Sequence, residues 1–187
     1  MLGGGGHGTG FIFDRSGYTL TNHHVVEGAK AITVVLPDKR TFPATVVDYV
    51  RHKEMVCPPR VETLIDAAVL KIEAADLPTI PLGDSAAVRQ GQEILVMGYP
   101  GGVSTEEVSV TRGIIGAVRN GWFQTDASMM PGNSGGPALD REGRAIGLAT
   151  FGTGFQQRIG GIVAMSAARP VAQGPWCPTD CDCANCA

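Results

Sequence analysis

Asp126-Ala127-Ser128-Met129-Met130-Pro131-Gly132-Asn133-Ser134-Gly135-Gly136-Pro137 is the stretch from which the rest of the chain is read. Glycine and proline weaken or break helices and strands alike, so this run is a tight loop shaped by backbone requirements. Such loops let backbone N–H groups converge on one point. A serine hydroxyl beside that point is a candidate nucleophile with its own oxyanion site. Serine is a poor nucleophile at neutral pH, so the remaining chain must supply a base and an acid to orient it.

Working outward, short strands separated by turn signals flank the loop. Trp122–Thr125 precedes it, and Ala138–Asp140, Ala145–Thr150 and Gly161–Met165 follow. Ser166 is placed to cap a short helix that Pro170 ends. Further upstream, Val108–Ile115 and Glu93–Gly98 read as strands. The first half repeats the rhythm with Gly8–Phe13, Tyr18–Thr21, Ala31–Leu36, Thr41–Tyr49 and Ala67–Ile72. Residues 50–65 are polar and contain Pro58-Pro59, so they read as a surface loop. No helix of typical length is found. Turns every eight to twelve residues predict an all-β fold. The expectation is two antiparallel β-barrels, about 8–73 and about 90–166, with a cleft between them. Residues 1–7 form a flexible Gly-rich N-terminus, and 171–187 a Cys-rich tail outside the fold.

Histidine is the natural base for a serine at neutral pH, and the chain has four. His7 lies in a glycine tract and His52 in the 50–65 segment, and both read as solvated side chains. His23 and His24 lie in a strand-to-helix corner, Thr21-Asn22-His23-His24-Val25-Val26, where Asn22 is placed to cap a short turn. Asp66 stands between Leu64-Ile65 and the apolar run Ala67–Leu70. A carboxylate in such surroundings is costly unless something pairs with it. The histidines and Asp66 fall in the first strand set and Ser134 in the second.

Gly8-Thr9-Gly10-Phe11-Ile12-Phe13, the Thr21–Val26 corner, Asp66-Ala67-Ala68-Val69-Leu70-Lys71-Ile72 and Gln124–Pro137 occur in that order. Together they resemble the protease domain of the HtrA/Deg family, within the chymotrypsin-like serine peptidases, over about residues 8–170. The resemblance implies two six-stranded-type barrels and a serine endopeptidase acting on unfolded or extended polypeptides without a cofactor or catalytic metal. It implies a triad of His24 as base, Asp66 as its orienting acid and Ser134 as nucleophile. His23 takes the family's variable position. The amides of Gly132, Asn133 and Ser134 are the implied oxyanion donors. Ser128, six residues before the nucleophile, is implied at the base of the S1 pocket. Met129 and Met130 stand beside it, and Thr150, Phe151 and Gly152 form a wall and a strand edge for the peptide. With no carboxylate there, a buried Lys or Arg would be unpaired, so cleavage after apolar residues is expected. The rival reading is a non-catalytic peptide-binding or chaperone module on the same fold.

The chain departs from that pattern in its longer 50–65 segment and in Met129-Met130, a pair that either packs under the loop or lines the substrate site. No peptide-binding PDZ module and no trimerising N-terminal segment are found, which leaves monomer and trimer both open. Cys177, Cys181, Cys183 and Cys186 in the tail have a spacing foreign to standard structural zinc sites, and zinc, a truncated module and a disordered tail all stay open.

The composition fits a globular protein of 187 residues, with 43% hydrophobic and 18% charged residues. A net charge of −3 without a Lys/Arg cluster argues against nucleic acid as a partner. No apolar run reaches the roughly 18 residues of a membrane-spanning helix. The start of the chain is unlike a secretory signal, which at face value reads as cytoplasmic, or as extracytoplasmic if an upstream segment belongs to it.

Overall fold

The computed structural model describes residues 2–3, 6–54, 63–101, 107–150 and 160–172, with the backbone alone at 2–3, 51–54, 63–64 and 169–172. The first half contains β1 (Leu2–Gly3), β2 (His7–Gly8), β3 (Phe11–Asp14), β4 (Tyr18–Thr21), the helical turn α1 (His23–Val26), β5 (Ile32–Val35), β6 (Thr41–Glu54) and β7 (Thr63–Ile72). The second contains β8 (Glu93–Gly98), β9 (Ser109–Val118), β10 (Trp122–Thr125), β11 (Pro137–Leu139), β12 (Ala145–Thr150), β13 (Gly160–Ala164) and the helix α2 (Met165–Ala172).

Both halves are antiparallel, as expected, but they close differently. The second is a closed six-stranded barrel ordered β10-β13-β12-β11-β8-β9. The first is a seven-stranded sheet ordered β2-β1-β5-β6-β7-β4-β3. Its edge strands β2 and β3 are joined by Thr9-Gly10 alone. So short a link spans at most about 10 Å, so the sheet must curl back on itself into a half-barrel. This is the chymotrypsin-like double-barrel architecture.

Tyr18–Thr21, Glu93–Gly98, Trp122–Thr125 and Ala145–Thr150 match the expected strands residue for residue. Other strands differ at their ends, and three segments differ in kind. Residues 50–54 and 63–65, expected to be loop, are paired strand, from Val50 opposite Ala67 to Glu54 opposite Thr63. β4 stops pairing with β7 at Ala68, so beyond it β6 and β7 continue as a two-stranded ribbon. The N-terminus, expected to be flexible, has Leu2 and Gly3 paired with Val34 and Thr33 of β5. Pro170 lies inside α2 rather than ending it. That helix begins at Met165, and the backbone N–H of Ser166 donates to Ser85 Oγ at 2.8 Å, which satisfies one of its unpaired first-turn donors.

The halves share one apolar cluster. Phe11, Leu20, Ala67 and Val69 of the first pack with Leu139, Leu148, Val163, Met165 and Ala168 of the second. Each half also has a core of its own, around Leu70 and Ile72 in the first and around Ile115, Phe123 and Ile162 in the second. Among the described residues no helix is long and apolar enough to cross a membrane.

Candidate active site

The site starts where β4 runs into α1. Thr21 is paired with Ala68, so the next residues of the chain pass alongside Ala67 and Asp66. Asn22 occupies the N-cap position, but its side chain does not cap the turn. Its Nδ2 donates to the backbone oxygen of Asp66 at 2.7 Å, and its Oδ1 accepts from Thr150 Oγ1 at 3.3 Å. The cap expected of Asn22 is supplied by Asp66, whose Oδ1 accepts from the His24 backbone N–H at 3.0 Å. A carboxylate at the start of a helical turn meets unpaired N–H donors and the positive end of the peptide dipoles.

The other carboxylate oxygen, Oδ2, accepts from His24 Nδ1. The Asp66 side chain is 11% exposed and that of His24 is 36% exposed. With the Nδ1 proton held by Asp66, the neutral ring carries its basic lone pair on Nε2. Burial pushes the Asp66 carboxyl up, but the His24 ring with its charge and the amides of His24 and His23 outweigh this, holding the group below the ordinary carboxylate value. The native state therefore binds this proton more weakly than the unfolded chain does. The resulting stability is complete above the ordinary value of about 3.9 and is lost as pH falls through the lower native value. Melting temperature measured from pH 7 down to pH 2 is expected to fall on the acid side, with a shallower fall in Asp66→Asn. Equal acid limbs in the two proteins would contradict that pairing.

Ser134 stands on the loop between β10 and β11. Met130-Pro131-Gly132-Asn133 forms a β-turn closed by Asn133 N–H donating to Met130 O at 3.0 Å. Pro131 at its second position and Gly132 at its third, with φ +102°, give the type II turn. The Asn133 amide, one of the expected oxyanion donors, thus donates within the turn. Among the described residues the Gly132 amide donates to nothing. Gly135, with φ +84°, lies where the two halves come into close contact. A Cβ there would lie 2.2 Å from both Thr21 Oγ1 and Thr9 O, and 3.0 Å from the backbone N of Asn22. The residue after Ser134 thus rests on the segment that leads directly into His24.

The remaining expected substrate contacts separate. Ser128 is exposed, and its backbone oxygen accepts from Thr111 Oγ1 at 2.9 Å. Met129 packs against the core of the closed barrel, its sulfur close to Gly160, while Met130 is 39% exposed. Thr150 is buried and bonded to Asn22. Phe151, Gly152 and the tail cysteines lie outside the described residues. His23 stacks on Tyr49, with ring centroids 4.5 Å apart. His7, expected to be solvated, is partly buried, with its Nε2 2.7 Å from Tyr99 O. Two connecting residues escape the sequence reading, Asn22 in its bridging role and Thr9. The available signal for Thr9 was a lone polar side chain between two glycines at the mouth of an apolar strand.

The family model for the trypsin-like peptidase domain matches residues 8–148. The chain belongs to this family. Within the trypsin-like peptidases its similarity is to the HtrA/Deg proteins, as the motifs implied. It is 38% identical over 172 residues to a probable periplasmic serine endoprotease, DegP-like, of Halomonas elongata, covering 88% of this chain and 32% of that one. It is 36% identical over 184 residues to the chloroplastic Protease Do-like 1 of Arabidopsis thaliana, covering 84% of this chain and 38% of that one. The solved HtrA-type protease AlgW with decapeptide superposes with a TM-score of 0.73 at 37% identity, over 89% of this chain and 50% of that one. The chain thus spans about a third of the length of these curated trypsin-like relatives and half that of the solved one.

Proposed function

We propose that this chain is the catalytic domain of a serine endopeptidase in which His24, Asp66 and Ser134 form the triad. The supporting observation is the His24–Asp66 pair, buried on the Asp side and partly exposed on the ring side, with the Ser134 loop packed against the same corner. In this reading Ser134 Oγ attacks the scissile carbonyl carbon while His24 Nε2 takes the hydroxyl proton. The amides of Gly132 and Ser134 hold the oxyanion. His24 then gives its proton to the leaving amine, and a water activated by the same base hydrolyses the acyl-enzyme. Asp66 orients the ring and stabilises the imidazolium.

The substrates we propose are extended or unfolded polypeptides, since apolar residues beside the scissile bond are hidden in folded proteins. Ser128 offers no charge to pair with Lys or Arg. Cleavage after Val, Leu or Phe is expected to exceed cleavage after Arg by at least about tenfold, given the cost of an unpaired buried cation. Mass spectrometry of the fragments of an unfolded test protein checks this, and dominant cleavage after Arg would sink it. An extracytoplasmic setting is favoured by the periplasmic and chloroplastic relatives.

Labelling by a fluorophosphonate probe tests the function itself. The wild-type chain is expected to be labelled at Ser134, and Ser134→Ala to take up none. A well-folded wild-type protein that takes up no probe would instead favour the peptide-binding reading.

A further inference from the structure

We infer that Thr9 is the positioning residue that aims the Gly132 amide, a role that rests on the proposed reading of Gly132 as an oxyanion donor. Direction at this turn is decided by a single peptide unit. Types I and II differ by a flip of the central peptide, here Pro131–Gly132. A trans peptide points its C=O and N–H in opposite directions. Pro131 O accepts from the Gly101 N–H at 2.9 Å, so the Gly132 N–H points away from the Tyr99–Gly101 segment. Any movement of that segment relative to the turn therefore re-aims the donor.

Thr9 joins the two. Its Oγ1 donates to Gly132 O at 2.7 Å and accepts from the Tyr99 N–H at 2.9 Å, bridging turn and segment with one hydroxyl. Its backbone N–H donates to Ser134 O at 2.9 Å. Its backbone oxygen accepts from Thr21 Oγ1 at 2.7 Å, which ties the same residue to the strand that ends in the His24 corner. Thr9 is 3% exposed, so no solvent replaces these bonds. The glycines on either side let the backbone come this close, since a Cβ at Gly8 would lie 2.5 Å from Val25 Cγ1 and one at Gly10 would lie 3.0 Å from Leu20 O. Thr9 touches neither substrate nor proton in this scheme. Its hydroxyl works through Gly132.

The test compares Thr9→Val, which keeps the shape and loses the hydroxyl, with Thr9→Ser, which keeps the hydroxyl. Loss of a whole oxyanion donor costs about 100- to 1000-fold in kcat, and a mis-aimed one is expected to cost about 10- to 100-fold. Thr9→Val should therefore lose that factor in kcat with KM within about twofold, because the donor acts in the transition state and not on bound substrate. Affinity for a peptidyl boronate, which mimics the tetrahedral state, should fall in parallel. Thr9→Ser should stay within about threefold of wild type in kcat, in keeping with a retained hydroxyl bridge. Thermal melts establish that each variant is folded. Should the valine variant not fold, Thr9→Cys, a weaker donor of similar size, takes its place against serine. Wild-type kcat in Thr9→Val, an equal loss in Thr9→Ser, or a kcat loss with unchanged boronate affinity overturns the proposal alone. A wild-type chain that neither hydrolyses peptide nor takes fluorophosphonate overturns it together with the peptidase reading.

Discussion

His24→Ala is expected to lower kcat/KM for peptide hydrolysis by about four to six orders of magnitude, while His23→Ala keeps most of the activity. The adjacent histidines differ in what holds them. His24 Nδ1 is bonded to Asp66 and its backbone N–H to the same carboxylate, so ring and main chain are both fixed. His23 lies against Tyr49, and its Nδ1 is buried without a partner among the described residues. Among the described residues nothing comparable to the Asp66 carboxylate orients the His23 ring. Steady-state kinetics on a fluorogenic peptide, with both variants shown to be folded, separates the two. Large loss in His23→Ala with small loss in His24→Ala would reverse the assignment.

Asp66→Asn carries the second largest expected effect, about 10⁴-fold in kcat. The amide has nearly the shape of the carboxylate, so the corner should keep its fold. Its oxygen can still accept from the His24 backbone N–H, which turns the NH₂ group toward His24 Nδ1. That nitrogen must then be the acceptor, which moves the ring proton to Nε2, where the base has to be bare. The loss should appear in kcat with little change in KM, since the carboxylate acts on the proton transfer rather than on substrate binding. A nitrogen-15 spectrum of the imidazole is expected to report the changed tautomer. An active Asp66→Asn enzyme, or one whose tautomer matches wild type, would remove Asp66 from the triad.

Elements with one buried face were legible in the sequence because alternation is a local record of burial. Trp122–Thr125 is an example, with Phe123 and Thr125 buried and Trp122 and Gln124 half-buried. The β6–β7 ribbon was not legible, because a backbone hydrogen-bond ladder can be built on polar residues such as Arg51, His52, Lys53 and Glu54 as well as on apolar ones. The same holds for Leu2–Gly3. At the site, residue types and order pointed to His24, Asp66 and Ser134, whereas the choice of hydrogen-bond partners was hidden. Asn22 has the chemistry of a cap and bonds Asp66 and Thr150 instead, and the Asn133 amide has the position of an oxyanion donor and closes a turn instead. The partners of Asn22 lie 44 and 128 residues away in the chain, and no local window of sequence contains them.

The apolar cluster shared by the two halves has a consequence for how the molecule comes into being. Phe11, Leu20 and Val69 leave the ribosome before Leu148, Val163 and Met165, the residues they pack against. Until those arrive, the first half has an uncovered core face. The shared core, unlike the first half's own around Leu70 and Ile72, can therefore be completed only after β12, β13 and the start of α2 have been made.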